Sequence, residues 1–294
     1  MLLVTGITGH SGRYFLKELI KHEYKGLIRC IVRKTSDTSM LDNSGLNIEK
    51  VVGDLTDQEL MKRNMVGVDT ILHIAGIQKT LYVINAAVKT SVGRVILIHT
   101  TGIYSNFKSA SEDYKKIELE MKKIIKGHKM NITILRPTMI YGDLNDLNMS
   151  KFIKMVNKLR VFPVINHGNS LIQPINARDL GKAYYQVLTE PTQQIKFEYI
   201  LSGEKPITML YTFNLISSNL GKKTVFISFS LEVGVLMAKI LNIITFRKID
   251  YIEKVQRMGE DRIFPHNDAA IDFGYYPMSF EDGIKIEVNQ FKNR

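Results

Sequence analysis

The chain has 294 residues, of which 45% are hydrophobic and 23% are charged, with a formal net charge of +11. This composition is typical of a globular protein, and the length suits one large α/β domain or a domain with an appended lobe. The charge alone is compatible with nucleic acid, an anionic membrane or a phosphorylated ligand. Because the lysines are scattered without a dense basic block, we expect no specific nucleic-acid partner.

The cysteine content indicates a reducing compartment. Cys30 is the single cysteine, which excludes an intramolecular disulfide and favours the cytoplasm. It stands in an apolar stretch, so we expect a buried, inert thiol. A strand predicted from the second residue leaves no room for a signal peptide. The apolar stretch 225–246 is interrupted by Glu232 and Lys239, which favours a buried or amphipathic helix over a membrane span.

The first dozen residues carry the strongest pattern in the chain. An apolar run at 2–4 ends in Gly6, Gly9 and Gly12, and a helical pattern over 13–22 follows. Strand, glycine turn and helix N-terminus in this order predict a dinucleotide-binding βαβ unit. Unpaired amides at the helix start favour a phosphate there. The alternative is a glycine turn that binds no ligand. The residues predicted to hold the cofactor phosphates are Gly6, Thr8, Gly9, His10, Ser11 and Gly12.

Apolar runs alternate with helical patterns through the first half. The runs lack strict alternation, as parallel strands buried on both faces do. We therefore predict a doubly wound parallel sheet, a Rossmann fold, in residues 1–142, with ligands at the carboxyl ends of its strands. The further strands are predicted at 27–32, 48–52, 70–74, 95–99 and 132–135, and the helices at 58–64, 79–91 and 112–126.

Helical patterns dominate after Tyr141 and Gly142. We predict a smaller, mostly helical C-terminal lobe in residues 143–294 that binds substrate over the ligand edge of the sheet, with segments that return to the sheet. The helices are predicted at 149–159, 177–188, 209–220 and 230–244, and short strands at 194–201 and 224–227.

The end of the second predicted strand bears on the choice of cofactor. Arg33 and Lys34 follow this strand directly. A site that prefers NAD places a carboxylate here for the ribose 2′-hydroxyl, whereas an arginine accommodates the 2′-phosphate of NADP. The sequence thus favours NADP, with NAD also possible. The alternative is two surface cations on a basic protein.

Further motifs follow in order along nearly the whole chain. They are Thr5-Gly-x-x-Gly-x-x-Gly12, Gly53-Asp-Leu55, His73-Ile-Ala-Gly76, Leu135-Arg-Pro137 through Tyr141-Gly142, Gln173-Pro-Ile-Asn-Ala-Arg-Asp179, and Phe273-Gly-Tyr-Tyr-Pro277 with Phe280-Glu-Asp-Gly283. Together they resemble the extended and atypical branches of the short-chain dehydrogenase/reductase superfamily, which include the NAD-dependent epimerase/dehydratase group.

The resemblance implies further cofactor contacts. Asp54 would accept a hydrogen bond from the adenine amino group, with Leu55 beside the ring; Asp54 could instead, or also, cap the next helix. Ala75 and Gly76 would pass close to the cofactor ribose, or would simply allow tight packing at the strand end. The residues expected beside the nicotinamide are Thr100, Pro137, Met139 and Ile140.

The resemblance also implies a catalytic tyrosine and a lysine four residues later on the helix after the fifth strand. There the lysine lowers the tyrosine pKa for proton exchange, and a serine or threonine holds the substrate oxygen. Thr101 fits the last position. Tyr114 stands on the expected helix, but Glu118 occupies its partner position, and a carboxylate there would raise the tyrosine pKa. Relatives commonly carry a glutamate one turn beyond the lysine. If Glu118 corresponds to that glutamate, Tyr114 occupies the lysine position and Ala110 the tyrosine position.

A second candidate pair lies closer to the strand. Tyr104 and Lys108 have the required spacing, but they follow Thr101 too closely, so we interpret the match as coincidence. The catalytic pair is therefore not intact in this sequence. Seven histidines show no metal-ligand spacing, and His73 and His99 are interpreted as packed strand-end residues.

Three functions remain open from the sequence. The first is an NADP-dependent oxidoreductase or epimerase-like enzyme for a nucleotide sugar or another carbonyl or hydroxyl substrate, with Thr101 and either Tyr114 or Tyr104 touching the substrate. The second is a non-catalytic regulatory or assembly protein that senses NADP. A protein that binds anionic surfaces is a third, which would need a steep salt dependence of binding. The resemblance adds a homodimer as an expected assembly.

Overall fold

A central sheet organises the fold. The structure, a computed structural model, describes residues 1–107, 109–245 and 251–294. Within these residues the strands are β1 Leu2–Thr5, β2 Ile28–Val32, β3 Ile48–Val52, β4 Thr70–His73, β5 Arg94–Ile98, β6 Asn131–Pro137, β7 Ile140–Tyr141, β8 Val161–Ile165, β9 Leu171–Ile172, β10 Ile175–Asn176, β11 Glu198–Leu201, β12 Ile207–Thr208 and β13 Val225–Phe229.

The helices of the described residues cover the sheet and build the second half. They are α1 His10–Lys21, α2 Ser39–Asp42, α3 Gln58–Met65, α4 Thr80–Lys89, α5 Ser111–Ile125, α6 Met149–Lys158, α7 Ala177–Thr189, α8 Met209–Leu220, α9 Leu231–Ile244, α10 Ile252–Met258, α11 Asn267–Phe273 and α12 Phe280–Lys292.

The main sheet has seven strands in the order β11-β6-β5-β4-β1-β2-β3, and every neighbouring pair is parallel. The predicted doubly wound Rossmann fold is thus confirmed. The chain reverses its direction of winding between β1 and β4, which is where open α/β sheets bind ligands. β1 is buried along its whole length, because helices cover both faces.

Each face of the sheet has its own core. Helices α1, α7 and α11 pack on one face, and α3, α4 and α5 on the other. Helix α7 lies very close to α1, since a Cβ added at Gly181 would stand 2.5 Å from the carbonyl carbon of Tyr14. Two elements that follow residue 142, α7 and β11, therefore belong to the core of the main sheet. The division at residue 142 stays a prediction.

A third core holds the remaining part of the second half, where α6, α8 and α12 pack with β8 and β13. The second half contains more strand than the sequence indicated. Strands β8 and β13 pair in parallel, and β8 was not predicted because Pro163 interrupts its short apolar run. The predicted strand at 194–201 forms only at Glu198–Leu201, since Thr192–Gln194 is a 3₁₀ turn.

The apolar stretch 225–246 divides into β13 and α9, and Phe246 lies outside the described residues. Only Gly234 and Ala238 of α9 are buried, so the alternative of a buried helix is wrong. None of the helices in the described residues is long and apolar enough to cross a membrane.

Candidate functional site

The glycine turn lies between β1 and α1 and requires its glycines. Gly6 has φ +77°, and a Cβ there would stand 2.7 Å from the amide nitrogen of Ala75 on the neighbouring loop. A Cβ at Gly12 would stand 2.3 Å from the carbonyl oxygen of Gly6. Helix α1 begins at His10 with Gly9 as its N-cap, so no side chain of the cap residue can satisfy the first amides. This end of α1 therefore presents backbone N–H groups and the positive end of the helix dipole.

Side chains around the turn are engaged by the protein itself. Thr8 lies in the turn, partly exposed. The Ser11 hydroxyl accepts a hydrogen bond from Tyr184 at 3.2 Å. The His10 imidazole lies 3.2 Å from the Asp143 carboxylate. His10 and Ser11 can thus offer a phosphate their backbone N–H groups, while their side chains fix the loop.

The Asp143 carboxylate lies beside the turn and contacts several hydrogen-bond donors. Arg13 lies 3.3 Å from its carboxylate, and the Tyr14 hydroxyl donates to it at 3.1 Å. Although burial acts against ionisation, the hydrogen bond and charge of His10 hold the pKa of Asp143 well below its usual range. The sequence analysis missed this residue, for which the only signal is its position directly after Tyr141 and Gly142.

Arg33 and Lys34 are exposed and follow β2 directly, as predicted from the strand pattern. The Arg33 amide donates to the Ser36 hydroxyl at 3.2 Å, which closes a tight turn. The two cations therefore stand at the carboxyl end of β2, beside the glycine turn that follows β1. Among the described residues, the Arg33 guanidinium forms no ion pair with an acidic side chain.

Asp54 is exposed at the carboxyl end of β3, with Leu55 partly buried beside it. Its carboxylate accepts hydrogen bonds from the Thr56 amide at 2.8 Å and the Thr56 hydroxyl at 2.7 Å, which lower the pKa of Asp54. The N-cap of α3 is Asp57, which accepts from the Leu60 amide at 3.0 Å. The alternative that Asp54 caps this helix is therefore wrong.

Ala75 and Gly76 follow β4, where Ala75 is exposed and Gly76 has φ +100°. His73 precedes them and is fully buried, with one ring nitrogen 2.7 Å from the Thr5 hydroxyl and the other 3.0 Å from the Gly76 carbonyl oxygen. Burial lowers the pKa of His73 to about 4, so its ring is neutral at physiological pH. The interpretation of His73 as a packed strand-end histidine is confirmed.

Glu118 is the centre of a buried ionic cluster. Its carboxylate accepts two hydrogen bonds from Arg136, at 2.6 Å and 2.7 Å, and lies 2.8 Å from the His99 ring. Arg136 also donates to Glu198 at 2.8 Å. Burial opposes ionisation of Glu118, but the hydrogen bonds from His99 and Arg136 prevail and lower its pKa to about 2. The residue at the expected lysine position is therefore an ionised partner of Arg136.

The two tyrosines of interest lie in different surroundings. Tyr114 is 7% exposed, packs with Ile77 and Ile103, and accepts a hydrogen bond from Gln78 at 3.4 Å. Tyr104 is 47% exposed, and its hydroxyl donates to Glu198 at 2.6 Å. Burial, and then this hydrogen bond, raise the pKa of Tyr104 to about 12. Lys108, the other member of the pair with Tyr104, lies outside the described residues.

A cavity of about 280 Å³ opens beside the ends of β5 and β6. The predicted site residues Thr100, Thr101, Tyr104, Met139 and Ile140 line it, and Tyr114 does not. Thr100 caps the turn after β5 by accepting from the Gly102 amide at 3.0 Å, and the Thr101 hydroxyl donates to the Pro137 carbonyl at 3.3 Å. The structure thus brings Thr101 and the segment after β6 to one wall.

The opposite wall comes from a segment that the sequence analysis did not select. Its residues are Arg257, Glu260, Asp261, Arg262 and Phe264. They carry no motif, and only the fold places them against the strand ends. Glu260 joins the two walls, because its carboxylate accepts from the Ser105 hydroxyl at 2.7 Å and the Asn106 amide at 2.9 Å.

This wall carries two arginines, Arg257 and Arg262, together with two acids, Glu260 and Asp261. Burial, and then the charge of Arg257, lower the pKa of Arg262 to about 10, so Arg262 is charged at neutral pH. In the described part of the chain, Arg262 forms no ion pair, and its Nε atom is buried without a hydrogen-bond partner. Arginine binds carboxylates and phosphates through paired hydrogen bonds. The cavity is therefore suited to an anionic molecule.

Comparison with known proteins places this geometry in a family. A family model described as NAD(P)H-binding matches residues 6–152, half of the chain, and the chain belongs to this family. The membership confirms the predicted resemblance to NAD(P)-binding proteins. A curated relative, sterol demethylase protein B of Methylococcus capsulatus, is 27% identical over 172 residues, 48% of this chain and 51% of that protein. The chain thus spans about half the length of the curated relative it matches.

Solved structures share the fold over the whole chain. A dTDP-glucose 4,6-dehydratase from Streptomyces venezuelae, solved with NAD bound, is 18% identical with a TM-score of 0.75, over 100% of this chain and 97% of that chain. A UDP-glucose 4-epimerase from Thermotoga maritima, solved with UDP-glucose, is 17% identical with a TM-score of 0.73, over 99% and 98%. A UDP-glucuronic acid 4-epimerase from Bacillus cereus in complex with NAD is 15% identical with a TM-score of 0.76, over 99% and 98%.

Proposed function

We propose that the protein is an NADP-dependent oxidoreductase or epimerase-like enzyme that acts on a carbonyl or hydroxyl group of an anionic substrate. The observation that carries the proposal is the cavity at the ends of β5 and β6. One of its walls holds Thr101, and the other holds the guanidinium groups of Arg257 and Arg262. A hydroxyl group next to the expected nicotinamide position, in one cavity with two arginines, suits a substrate with a reactive oxygen at one end and negative charge at the other.

The residues at the strand ends fit a dinucleotide. A Cβ at Gly12 would fill the turn, and the first amides of α1 are open to a pyrophosphate. Asp54 and Leu55 would hold the adenine, Ala75 and Gly76 would allow close approach of the ribose, and Pro137, Met139 and Ile140 would lie beside the nicotinamide. NADP would supply a hydride acceptor, and its reduced form a hydride donor, at C4 of the nicotinamide.

A nucleotide sugar is the substrate class that we propose. The dehydratase and epimerases of like fold are named for dTDP-glucose, UDP-glucose and UDP-glucuronic acid. A sugar nucleotide combines an oxidisable hydroxyl with a diphosphate, which Arg257 and Arg262 are suited to bind. Since identity to these proteins is low, the unpaired Arg262 on the cavity wall is the stronger support.

We expect the protein to bind NADPH more tightly than NADH, because Arg33 and Lys34 can neutralise the 2′-phosphate. Arg33→Glu should reverse this order, with a change in the affinity ratio of about tenfold or more, equivalent to at least about 1.4 kcal/mol. Titration of the protein against both cofactors by fluorescence measures the ratio. Lys25→Glu makes the same charge change at a side chain that is 84% exposed, and should leave the ratio unchanged. Equal affinity of the wild type for NADPH and NADH would contradict the assignment.

Tyr114→Phe should reduce turnover by about two orders of magnitude or more if Tyr114 is the proton donor. Because the substitution removes one hydroxyl from a packed ring, NADPH affinity should not change. The measurement is NADPH oxidation with carbonyl and nucleotide-sugar substrates. Tyr104→Phe is the matched variant, since Tyr104 lines the cavity. Full activity of Tyr114→Phe together with loss in Tyr104→Phe would move the role to Tyr104.

A second function is favoured by the state of Glu118. This residue stands where a catalytic lysine is expected and is ion-paired with Arg136. A protein without that lysine could use NADP occupancy to regulate contacts with a partner or an assembly. This alternative predicts tight NADPH binding with no conversion of any carbonyl or nucleotide-sugar substrate, whereas the enzyme converts at least one of them.

A further inference from the structure

Helix α9 presents an apolar face to solvent. Its partly covered side packs through Gly234 against Ile165 of β8 and Val255 of α10. The opposite side covers about 120° of the helix surface, by the 100° step of an α-helix. The side chains on it are between 43% and 73% exposed: Val233, Leu236, Met237, Ile240, Ile243 and Ile244. The charged Glu232 and Lys239 both lie on one flank of this face. Single exposed apolar residues are ordinary, but a continuous stripe is not.

The outer face of the small β8–β13 sheet continues this surface. Phe162 and Val164 point into the third core, whereas the alternate residues Val161 and Pro163 are exposed. Their register partners Val225 and Ile227 are 60% and 46% exposed. Ile165 belongs to the same outer face of β8 and contacts Gly234, so α9 adjoins this face directly. We call the stripe on α9 and the outer face of the sheet together the α9 surface.

Two segments beside the α9 surface are basic and contain no acid. Residues 147–178 and 205–231 contain no Asp or Glu, although acidic residues make up 29 of the 294 positions in the chain. Four exposed cations from these segments border a depression at the edge of the β8–β13 sheet: Lys158, Arg160, Lys222 and Lys223. These cations stand where β8 and β13 begin, so they border the outer face of the small sheet.

We propose that the α9 surface binds reversibly to an anionic lipid membrane. An apolar surface bordered by clustered lysine and arginine is the combination that inserts into the interface and attracts acidic head groups. A second copy of this chain is disfavoured as the occupant, because a symmetric contact would bring two sets of these four cations together, with one acid, Glu232, on each α9. The 14 residues of α9 are too few to span a bilayer, which needs about 20. The helix would therefore lie in the plane of the membrane surface.

Co-sedimentation with lipid vesicles tests this inference on the full chain. The wild type should sediment with vesicles of equal parts phosphatidylglycerol and phosphatidylcholine, and the bound fraction should fall as salt is added. The double variant Leu236→Glu/Ile240→Glu should reduce vesicle affinity at least tenfold. Leu119→Glu is the matched control, because Leu119 is 60% exposed on α5, away from this surface, and should bind as the wild type does.

A second variant tests the charges separately. Lys222→Glu/Lys223→Glu should weaken binding to the anionic vesicles and flatten its salt dependence. Circular dichroism and NADPH affinity should match the wild type in all variants, since every changed side chain is exposed. The proposal is overturned if the wild type stays in the supernatant, or if it binds pure phosphatidylcholine equally well. It is also overturned if sedimentation velocity shows a dimer that Leu236→Glu/Ile240→Glu dissociates while vesicles bind neither protein.

Discussion

Glu118→Lys is expected to destabilise the protein strongly and not to create a catalytic pair with Tyr114. The new ammonium group would stand against Arg136 and His99, where the carboxylate now accepts hydrogen bonds at 2.6–2.8 Å. Removing one partner of a buried ion pair costs about 3–5 kcal/mol, and a like charge in its place costs at least as much. The free energy of unfolding, measured by urea titration with circular dichroism, should fall by that amount, and turnover should not rise.

Leu119→Lys provides the control for this experiment. Residue 119 is the next position on the same helix and is 60% exposed, so a lysine there should change the free energy of unfolding by no more than about 0.5 kcal/mol. A stable Glu118→Lys protein with increased NADPH oxidation would show that the Glu118–Arg136 pair is dispensable. It would also show that residue 118 can serve Tyr114 directly.

Glu287→Gln is expected to stabilise the protein at alkaline pH and to leave it nearly unchanged near pH 4. Glu287 is fully buried in α12, and its carboxyl accepts a hydrogen bond from the Gly142 amide at 2.9 Å. Burial, and then the neighbouring Asp146, raise the pKa of Glu287 to about 10. Asp146 accepts from the amides of Asn148 and Ser150, so it holds the start of α6 and favours a protonated Glu287 beside it.

The direction of the pH effect follows from proton uptake. Between the pKa of an unfolded glutamate, about 4.3, and the raised folded value, the folded state keeps a proton that the unfolded state has lost. Stability is therefore fully present below that lower pKa and falls as the pH rises. Glutamine is neutral at every pH, so the stability of the variant does not fall in this way as the pH rises. Its free energy of unfolding should exceed that of the wild type by on the order of 3 kcal/mol at pH 8.5.

Thermal and urea unfolding from pH 4 to pH 9 measure the difference. Glu120→Gln is the matched control, because Glu120 is a half-exposed surface glutamate paired with Lys123 on α5, and it should leave the pH profile as in the wild type. A Glu287→Gln protein whose stability falls with pH as steeply as the wild type would show that Glu287 does not carry the effect.

The surroundings of Glu118 show what residue spacing can and cannot predict. The sequence places Glu118 four residues after Tyr114, and from spacing alone a carboxylate there would act on the tyrosine. In the folded chain the carboxylate is held by Arg136 of β6 and by His99, which directly follows β5. Neither partner is predictable from the helix, because both come from strands whose pairing is decided by the sheet. The sequence showed that the lysine position holds no lysine. It did not predict that Glu118, the residue at this position, pairs with Arg136.

The residues that line the cavity were likewise predictable from the sequence only in part. Thr101 was expected at a strand end from the apolar pattern of β5, and it lines the cavity. Arg257 and Arg262 were not expected, since they stand in a short helix and a loop without a motif. Their position depends on how the chain returns to the sheet after α9. The sequence analysis also assigned Asp54 a capping alternative that belongs to Asp57, three residues later.

The sequence by itself determined the features that depend on neighbouring residues. Apolar runs without alternation predicted parallel buried strands, and Gly6, Gly9 and Gly12 predicted the turn and the open helix start, because strand burial and glycine backbone freedom act within a few residues. Only the tertiary structure decided which distant groups meet. It brought α7 and β11 to the main sheet, Glu118 to Arg136, and two arginines to the wall opposite Thr101. These contacts join residues tens to more than a hundred positions apart, and their energy depends on burial that no local pattern specifies.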